Sequence, residues 1–384
     1  MFVDGFVVDY KGVRVFFGRG VVGGLGRFLK GFSRVAIVTG RSSARVSGAL
    51  GDVVRVLEEN NVGYDVYDRV TPNPWASQAD DLGEFLWRNG FDAVVAIGGG
   101  SVIDTAKVAC VIAASGGRAV DYLYWRRRPR GSLPLFAVNL THGTGSEVDR
   151  YAVLTVDENR EKRGIAILYP KASVDDPGYT VTLPRDQTVY TTLDAFYHAY
   201  EAATSRSSTP YTLLHSVSAT ENIAGFIERV LRDPRDLDGR SRLLYGSLLA
   251  GIAIDMSGTH IIHAIEHALS GLNPKLPHGC GLGILGPRAV YYTHKARPSE
   301  SAEILKLLDS SIKPDPGDAG KAMKIIEEFQ EKIGFTRKLS DYGFGRDDIK
   351  TVTGMVLGGL KYLLEGTPFK VDEQIIKDIL EHSL

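Results

Sequence analysis

Histidines and one acid carry the clearest chemical signal in this sequence. Four of the nine histidines fall within nineteen residues. These four are His260, His263, His267 and His278. Asp194 and His198 stand four residues apart, which on a helix places a carboxylate and an imidazole on one face. These residues are therefore candidate metal ligands.

The histidine cluster has a second explanation, because an isolated histidine at such a position is more often a packed, hydrogen-bonded core residue. Several buried imidazoles on apolar helices, however, cost desolvation energy unless something pairs with them. A divalent cation is the simplest partner. One carboxylate with three imidazoles suits Fe²⁺ or Zn²⁺ and disfavours Mg²⁺ and Ca²⁺, which prefer oxygen ligands. The spacing alone leaves the choice between iron and zinc open.

A glycine cluster after the apolar run AVVAI is the best candidate for a phosphate-binding loop. It consists of Gly98, Gly99, Gly100 and Ser101. Because a predicted helix begins there, backbone N–H groups and the helix dipole converge where a pyrophosphate could bind. Asp104 and Lys107 add a hydrogen-bonding group and a cation one turn later. The alternative is a tight strand-to-helix turn with an ion pair inside the helix.

Two other glycine patterns, 18–23 and 281–286, match G-x-G-x-x-G less convincingly. The first lacks an acid about 20 residues later, and the second lacks a preceding strand, so helix packing explains its glycines better. A Gly/Ser/Thr loop from Thr141 to Glu147, with Thr144 at its centre, follows the next predicted strand. We expect it at the same sheet edge as Gly98, and its spacing differs from the G-x-S-x-G of serine hydrolases.

The elements that must position these residues differ between the two halves of the chain. In the first half, β-branched runs predict strands at 13–17, 35–39, 64–67, 93–97 and 133–138, and helical periodicity predicts helices at 21–30, 44–60, 76–89 and 102–114. A hairpin, 151–156 with 164–168, is expected as an appendage of the same parallel sheet. Long amphipathic stretches follow from about Arg185, so the second half is predicted to be helical.

Length and composition limit the function further. A chain of 384 residues exceeds the roughly 250–300 at which one core stops growing, so we expect two domains, 1–183 and 184–384. The net charge of −1 gives no field for nucleic acid or an anionic membrane, and we expect a small substrate. The basic run Arg126–Arg130 is read as a solvated loop. Cys110 and Cys280 form no disulfide framework, and no apolar run reaches the ~18 residues of a membrane span, so a cytoplasmic protein is expected.

The joint pattern resembles the iron-containing, group III alcohol dehydrogenases from about residue 10 to about residue 290. The motifs that carry the resemblance are Gly98 to Ser101 with Asp104 and Lys107, Asn73-Pro74, Thr141 to Glu147, Asp194 with His198, and His263, His267 and His278. The resemblance implies an N-terminal α/β dinucleotide-binding domain with a Rossmann-like parallel sheet, an all-α C-terminal domain, and an active site in the cleft between them.

The resemblance also implies roles for individual residues. The metal ligands would be Asp194, His198, His263 and His278, binding Fe²⁺ with Zn²⁺ as the alternative. The cofactor contacts would be Asn73, Gly98, Gly99, Gly100, Ser101, Asp104, Thr141, Thr144 and Lys162. His267 would be a catalytic residue, because an unperturbed pKa near 6.5 suits a proton relay; the alternative is that it only orients a ligand.

Some positions depart from the family pattern. His142 replaces a small residue of many members, and His260 has no counterpart in the pattern. NAD-preferring relatives tend to place an acid where this chain has Gly40. Arg41, Ser42 and Ser43 follow, which offers a cation and hydroxyls to a 2′-phosphate, so a preference for NADP(H) over NAD(H) is predicted.

The expected activity is hydride transfer between a small alcohol or aldehyde and NADP(H), in a homodimer or higher homo-oligomer that binds neither nucleic acid nor membrane. Three alternatives remain open. Two are related enzymes of the same fold, a glycerol-1-phosphate dehydrogenase-like enzyme and a dehydroquinate synthase-like lyase. The third is a nucleotide-binding protein without turnover.

Overall fold

The chain divides into two units. In the computed structural model, which describes residues 5–384, the first unit comprises the chain up to Asn159 together with Arg163–Leu183 and Asp233–Leu244. The second comprises Arg160–Lys162, Pro184–Arg232 and Tyr245–Leu384. The main division falls between residues 183 and 184, as expected from the sequence. Two short segments differ, because Arg160–Lys162 belongs to the second unit and Asp233–Leu244 to the first.

The first unit is built on a seven-stranded sheet with the order β1-β2-β9-β6-β5-β3-β4. The strands are β1 (Phe6–Tyr10), β2 (Val13–Phe17), β3 (Arg34–Gly40), β4 (Gly63–Val70), β5 (Ala93–Gly98), β6 (Leu135–Asn139) and β9 (Ala172–Asp175). All neighbours pair in parallel except β1, which is antiparallel to β2 at the edge. The predicted parallel α/β sheet is confirmed.

Both faces of this sheet are buried, as expected for parallel strands covered by helices. In β5, Val95 and Ile97 belong to one apolar core, while Val94 and Ala96 belong to the core on the opposite face. The helices of this unit are α1 (Gly26–Leu29), α2 (Ser43–Val46), α3 (Ala49–Glu59), α4 (Ala76–Asn89), α5 (Gly100–Ser115), α6 (Ala119–Leu123) and α7 (Pro177–Thr180). All residues of β5 are therefore buried.

Two predicted helices and the hairpin are corrected by the structure. The predicted helix 44–60 is interrupted by Gly48, which adopts a left-handed φ of 84° between α2 and α3. The predicted helix 21–30 begins as a 3-10 helix, Val21–Leu25. The hairpin β7 (Tyr151–Thr155) and β8 (Lys162–Ala166) forms a separate two-stranded sheet, because its apolar side chains pack on α5 and α6 instead of extending the large sheet.

The second unit is helical, as predicted. It contains α8 (Arg185–Thr204), α9 (Pro210–Arg232), α11 (Ile261–Leu272), α12 (His278–Ala296), α13 (Pro298–Leu305), α14 (Ala319–Lys332), α15 (Ile349–Leu357) and α16 (Glu373–Ser383), and α10 (Leu237–Ser257) begins in the first unit. Short 3-10 helices cover Pro316–Asp318, Leu339–Tyr342, Arg346–Asp348 and Lys361–Leu364. Sixteen of the twenty residues of α8 are buried, so this helix lies in the interior and can carry buried functional groups.

Within residues 5–384, no individual helix has the length and apolar character of a membrane span. Helices α10 and α11 meet such a test only as a pair, and they are bent by 102° at the break between them.

Candidate metal centre and nucleotide-binding loops

Three helices of the second unit bring the four predicted metal ligands together. Asp194 and His198 lie one turn apart on α8, His263 lies in the first turn of α11, and His278 is the first residue of α12. The Nε2 atoms of His198, His278 and His263 lie 3.5, 3.7 and 3.9 Å from a single oxygen, Asp194 Oδ1. The side chains of Asp194, His198 and His263 are no more than 7% exposed, and that of His278 is 23% exposed.

The close packing of these helices depends on glycines. A Cβ on Gly279 would lie 1.9 Å from the carbonyl oxygen of Tyr190 on α8, and a Cβ on Gly286 would lie 1.7 Å from Tyr197 Oη. Gly281 approaches Glu266 on α11 in the same way, with 2.8 Å from its Cβ position to Cγ. The prediction that helix packing explains the glycines of 281–286 is confirmed.

Asp194, His263 and His278 each offer a ligand atom within 4.8 Å of the others, as the ligands of one metal ion would, and His198 lies beside Asp194. With bonds of about 2.1 Å, two ligand atoms of a tetrahedral site are about 3.4 Å apart, close to the observed separations from Asp194 Oδ1. Among the described residues, Asp194 Oδ1 and His263 Nε2 are fully buried and have no hydrogen-bond partner. Because unpaired buried polar atoms are costly, a shared cation explains both. The set of one oxygen and three nitrogens suits Fe²⁺ or Zn²⁺.

Two further carboxylates, which the sequence analysis did not identify, contact the outer nitrogens of these histidines. Glu201, fully buried on α8, lies with Oε2 2.5 Å from His263 Nδ1 and accepts hydrogen bonds from the backbone N–H groups of His260 and Ile262. His260 Nδ1 lies 3.0 Å from Glu201 Oε1. Asp194, His198 and Glu201 follow i, i+4, i+7 spacing, which was the signal available in the sequence.

The second carboxylate is Glu266, fully buried on α11, whose Oε2 is hydrogen-bonded to His278 Nδ1. Lys162 joins this pair. Its ammonium lies 3.4 Å from Glu266 Oε2, 3.2 Å from His278 Nδ1 and 3.0 Å from Ser270 Oγ. Lys162 was predicted as a cofactor contact, and the structure places its ammonium beside these candidate metal ligands.

The charges of this cluster also favour a divalent cation. With neutral imidazoles, the buried carboxylates of Asp194, Glu201 and Glu266 and the ammonium of Lys162 carry a net charge of −2. An uncompensated buried charge of this size is strongly unfavourable. An ion of charge +2 makes the cluster neutral.

The pKa values of these groups reflect burial and their neighbours. Burial opposes ionisation of Asp194, but the nearby imidazoles of His198, His263 and His278 outweigh it and lower its pKa to about 2. For Glu201, burial is likewise outweighed, chiefly by His260, and its pKa lies well below the usual range. Burial would lower the pKa of His263, yet the neighbouring carboxylates of Asp194 and Glu201 raise it to about 9.

His267 lies close to the same histidines but does not share their arrangement. Its ring centre is 5.6 Å from that of His278, and its Nδ1 is 3.1 Å from the carbonyl oxygen of Lys162. Burial, reinforced by the charge of Lys162, holds the pKa of His267 well below its ordinary value. The expectation of an unperturbed pKa near 6.5 is therefore wrong, and the ring is neutral near pH 7.

The nucleotide-loop candidates of the first unit meet at the carboxyl edge of its sheet. A Cβ on Gly99 would lie 2.8 Å from Thr141 Cγ2, and one on Gly100 would lie 2.5 Å from Thr144 Cγ2. The glycines therefore let the loop of Thr141 and Thr144 pack directly against the first turn of α5, which begins after Gly99. Ser101 lies in the same turn. The backbone N–H groups of the first turn of α5, with the hydroxyls of Ser101, Thr141 and Thr144, form a surface suited to a pyrophosphate.

Two polar residues near this turn hold the loop in place. Asp104 accepts hydrogen bonds from Ser146 Oγ at 2.5 Å and from the N–H of Val153 at 2.9 Å. Lys107 is fully buried and donates to Asp149 Oδ1, Ser146 Oγ and the carbonyl oxygens of 149 and 151. Asp104, which was predicted to contact the cofactor, thus accepts hydrogen bonds from other residues of the chain. These bonds fix the shape of the loop that contains Ser146.

The remaining predicted cofactor contacts lie at or just after the carboxyl ends of β3 and β4. β3 pairs with β5 and ends at Gly40, and Arg41, Ser42 and Ser43 are exposed immediately after it. Asn73 follows β4, is buried, and has a positive φ of 48°. All these loops therefore lie on one edge of the sheet.

These features define a two-unit protein with an α/β unit that carries candidate nucleotide-binding loops and a helical unit that carries candidate metal ligands. Comparison with known proteins agrees. The model of the family described as "Iron-containing alcohol dehydrogenase" matches residues 12–177, and that of "Fe-containing alcohol dehydrogenase family, C-terminal" matches residues 188–384. The chain belongs to the iron-containing alcohol dehydrogenase family, which implies Fe²⁺ and a nicotinamide cofactor.

Individual relatives agree with this assignment. The chain is 38% identical to the long-chain primary alcohol dehydrogenase AdhA of Thermoanaerobacter ethanolicus over 92% of this chain and 90% of the relative. It is 28% identical to the NAD-dependent methanol dehydrogenase of Bacillus methanolicus, over 87% of this chain and 88% of the relative. Among solved structures, NADH-dependent butanol dehydrogenase A of Thermotoga maritima superposes with a TM-score of 0.89 at 27% identity, covering 98% of both chains. Among the alternatives considered, these relatives favour an alcohol dehydrogenase.

Proposed function

We propose that this alcohol dehydrogenase holds its catalytic divalent ion, Fe²⁺ by preference, through Asp194, His198, His263 and His278. The observation that carries the proposal is the convergence of three Nε2 atoms within 3.9 Å of Asp194 Oδ1. A metal ion bound there would act as a Lewis acid on the oxygen of a small alcohol or aldehyde while hydride passes to or from the nicotinamide.

The protein's own residues would contribute orientation and proton transfer. His267 is not one of the proposed metal ligands, because it is not among the histidines whose Nε2 atoms lie within 3.9 Å of Asp194 Oδ1. Its Nδ1 is occupied by the Lys162 carbonyl, which leaves Nε2 as the atom that can exchange a proton or a hydrogen bond with substrate.

For the cofactor, we propose that Gly98 to Ser101 with Thr141 and Thr144 bind the pyrophosphate. A larger side chain at Gly99 or Gly100 would clash with Thr141 or Thr144, so these glycines keep the two loops in contact, which supports this assignment. Asn73 would contact the cofactor from the neighbouring loop. Asp104 would act by shaping the loop through Ser146, and Lys162 would act at the metal centre.

We further propose that NADP(H) is preferred over NAD(H). Gly40 places no carboxylate at the end of β3, and exposed Arg41, Ser42 and Ser43 offer a cation and two hydroxyls to a 2′-phosphate. Two relatives are named as NAD- or NADH-dependent, so a preference of this chain for NADP(H) would distinguish it from them. Arg41→Ala is expected to lower kcat/KM for NADP⁺ by about 10–100-fold, because a hydrogen bond to a charged group contributes about 1.5–3 kcal/mol.

The experiment compares NAD⁺ and NADP⁺ on the anaerobically iron-loaded enzyme with short- and long-chain primary alcohols, since the Thermoanaerobacter relative is named for long-chain substrates. Activity that disappears on chelation and returns with Fe²⁺ supports the metal-dependent reaction. Arg55→Ala, at an exposed arginine on α3, is the control for Arg41→Ala. A preference for NAD⁺, or an equal loss in both variants, overturns the NADP(H) proposal.

A further inference from the structure

Two of the proposed ligand histidines are each held between Asp194 and a buried carboxylate. His263 directs Nε2 towards Asp194 and Nδ1 towards Glu201, with 2.5 Å from Nδ1 to Oε2. His278 directs Nε2 towards Asp194 and Nδ1 towards Glu266. Both outer carboxylates are fully buried. The same arrangement thus occurs twice, on two different helices.

We propose that Glu201 and Glu266 are positioning residues that fix His263 and His278 in the tautomer with hydrogen on Nδ1, so that each Nε2 lone pair faces the metal site. This inference rests on the metal site in the proposed function. A carboxylate that accepts the Nδ1 hydrogen also raises the basicity of the opposite ring nitrogen and so strengthens it as a ligand.

A histidine outside the ligand set provides the contrast. The Nδ1 of His267 is bonded to a neutral backbone carbonyl, that of Lys162, and not to a carboxylate. On α11 and α12, the Nδ1 atoms of the two histidines that face Asp194, His263 and His278, each lie beside a carboxylate, whereas the Nδ1 of His267 lies beside a neutral carbonyl oxygen.

Glu201 and Glu266 differ in how many other contacts a substitution would remove. Both oxygens of Glu201 accept backbone N–H groups at the start of α11, so its replacement also disturbs the helix terminus. Glu266 uses Oε2 for His278 and Lys162, while its Oε1 has no hydrogen-bond partner among the residues described. Glu266→Gln therefore can keep an acceptor towards His278 while removing the charge, and it is the variant of choice.

The buried pair of Lys107 and Asp149 supplies a matched control. Its ammonium and carboxylate are 2.9 Å apart and almost fully buried, as in the pair of Lys162 and Glu266, but the carboxylate has Lys107 and backbone as its partners and no histidine. Asp149→Asn thus removes a comparable buried carboxylate. Any general effect of losing such a charge appears in both variants.

The first measurement is the Zn²⁺ affinity of the full-length, metal-stripped chain, determined by competition with a fluorescent chelator. Removal of an outer partner of a ligand histidine typically weakens metal binding by about 10–100-fold. We expect about 10-fold for Glu266→Gln, about 100-fold for Glu266→Ala, and wild-type affinity for Asp149→Asn. Asp194→Ala is expected to abolish tight binding.

The second measurement reads the histidine tautomers by long-range ¹H–¹⁵N spectra of ¹⁵N-histidine-labelled, metal-free protein at pH 8. In the wild type, His278 should carry its hydrogen on Nδ1 even without metal. In Glu266→Ala the tautomer with hydrogen on Nε2 should become populated, whereas Asp149→Asn should leave the wild-type spectrum. A purely structural role for Glu266 would not move this signal.

The outcomes separate the two proposals. If wild type and Asp194→Ala bind Zn²⁺ equally, the proposed metal site fails, and the positioning role fails with it. If Asp194→Ala abolishes binding but Glu266→Gln and Glu266→Ala bind as wild type, or if Asp149→Asn loses as much affinity, the metal site stands and the positioning role is overturned. An unchanged tautomer of His278 in Glu266→Ala overturns it as well.

Discussion

Removing the metal should make the stability of this protein depend on pH through His263. In the metal-free chain, burial opposes protonation of His263, but the carboxylates of Asp194 and Glu201 outweigh it and raise the pKa to about 9 from an ordinary 6.5. The proton then takes the place of the cation between two carboxylates. Its binding stabilises the folded state relative to the unfolded chain.

The sign and size of the effect follow from this pKa. Because the folded pKa lies above the unfolded one, the stabilisation is complete below pH 6.5 and is lost as pH rises through 9. The whole contribution is about 3 kcal/mol, of which about 2 kcal/mol is lost between pH 7 and pH 9. The raised pKa values of buried Asp149 and Asp175, about 7 each, affect stability mainly below this interval.

The assay is urea denaturation of the chelator-treated protein at several values between pH 7 and pH 9. Saturating Zn²⁺ should remove the decline, because the metal replaces the proton. His263→Asn is the control, since its side chain does not titrate, and it should show no decline of this origin. The reasoning is refuted if metal-free wild type keeps its free energy of unfolding over this interval, or if His263→Asn declines equally.

Three further predictions concern other parts of the molecule. Gly99→Ala should raise KM for the nucleotide with little change in metal content, because the new Cβ meets Thr141 at 2.8 Å, and steady-state kinetics beside metal analysis will check it. Lys107→Met should lower the free energy of unfolding by about 3–5 kcal/mol, because Asp149 is left buried without its cation; a loss below 1 kcal/mol in denaturation contradicts this. His267→Ala should keep wild-type metal content and lose turnover, and loss of metal would make His267 a ligand.

The sheet was predictable where strands are long and rich in β-branched residues. β5 and β3 were predicted nearly in full because both faces of each are buried and the sequence is a continuous apolar run. The short strand β9, with the sequence ASVD, was missed, since four residues carry no period and its place between β2 and β6 arises from pairing alone. The break at Gly48 was missed because a helical pattern continues through it.

The candidate metal ligands could be predicted from the sequence, but the residues that contact them could not. Asp194 with His198, and His263 with His267, show helical spacing that can be read locally. The contact of Lys162 with Glu266 joins residues 104 positions apart, which no local pattern records. The lowered pKa of His267 likewise comes from burial and from Lys162, so sequence alone suggested its ordinary value.

The most direct test of the account is a crystal structure of the anaerobically iron-loaded protein with anomalous scattering recorded at the iron edge. The account predicts one strong anomalous peak, about 2.0–2.2 Å from Asp194 Oδ1 and from Nε2 of His198, His263 and His278. A peak bound elsewhere, or none at this position in iron-loaded crystals, would contradict it.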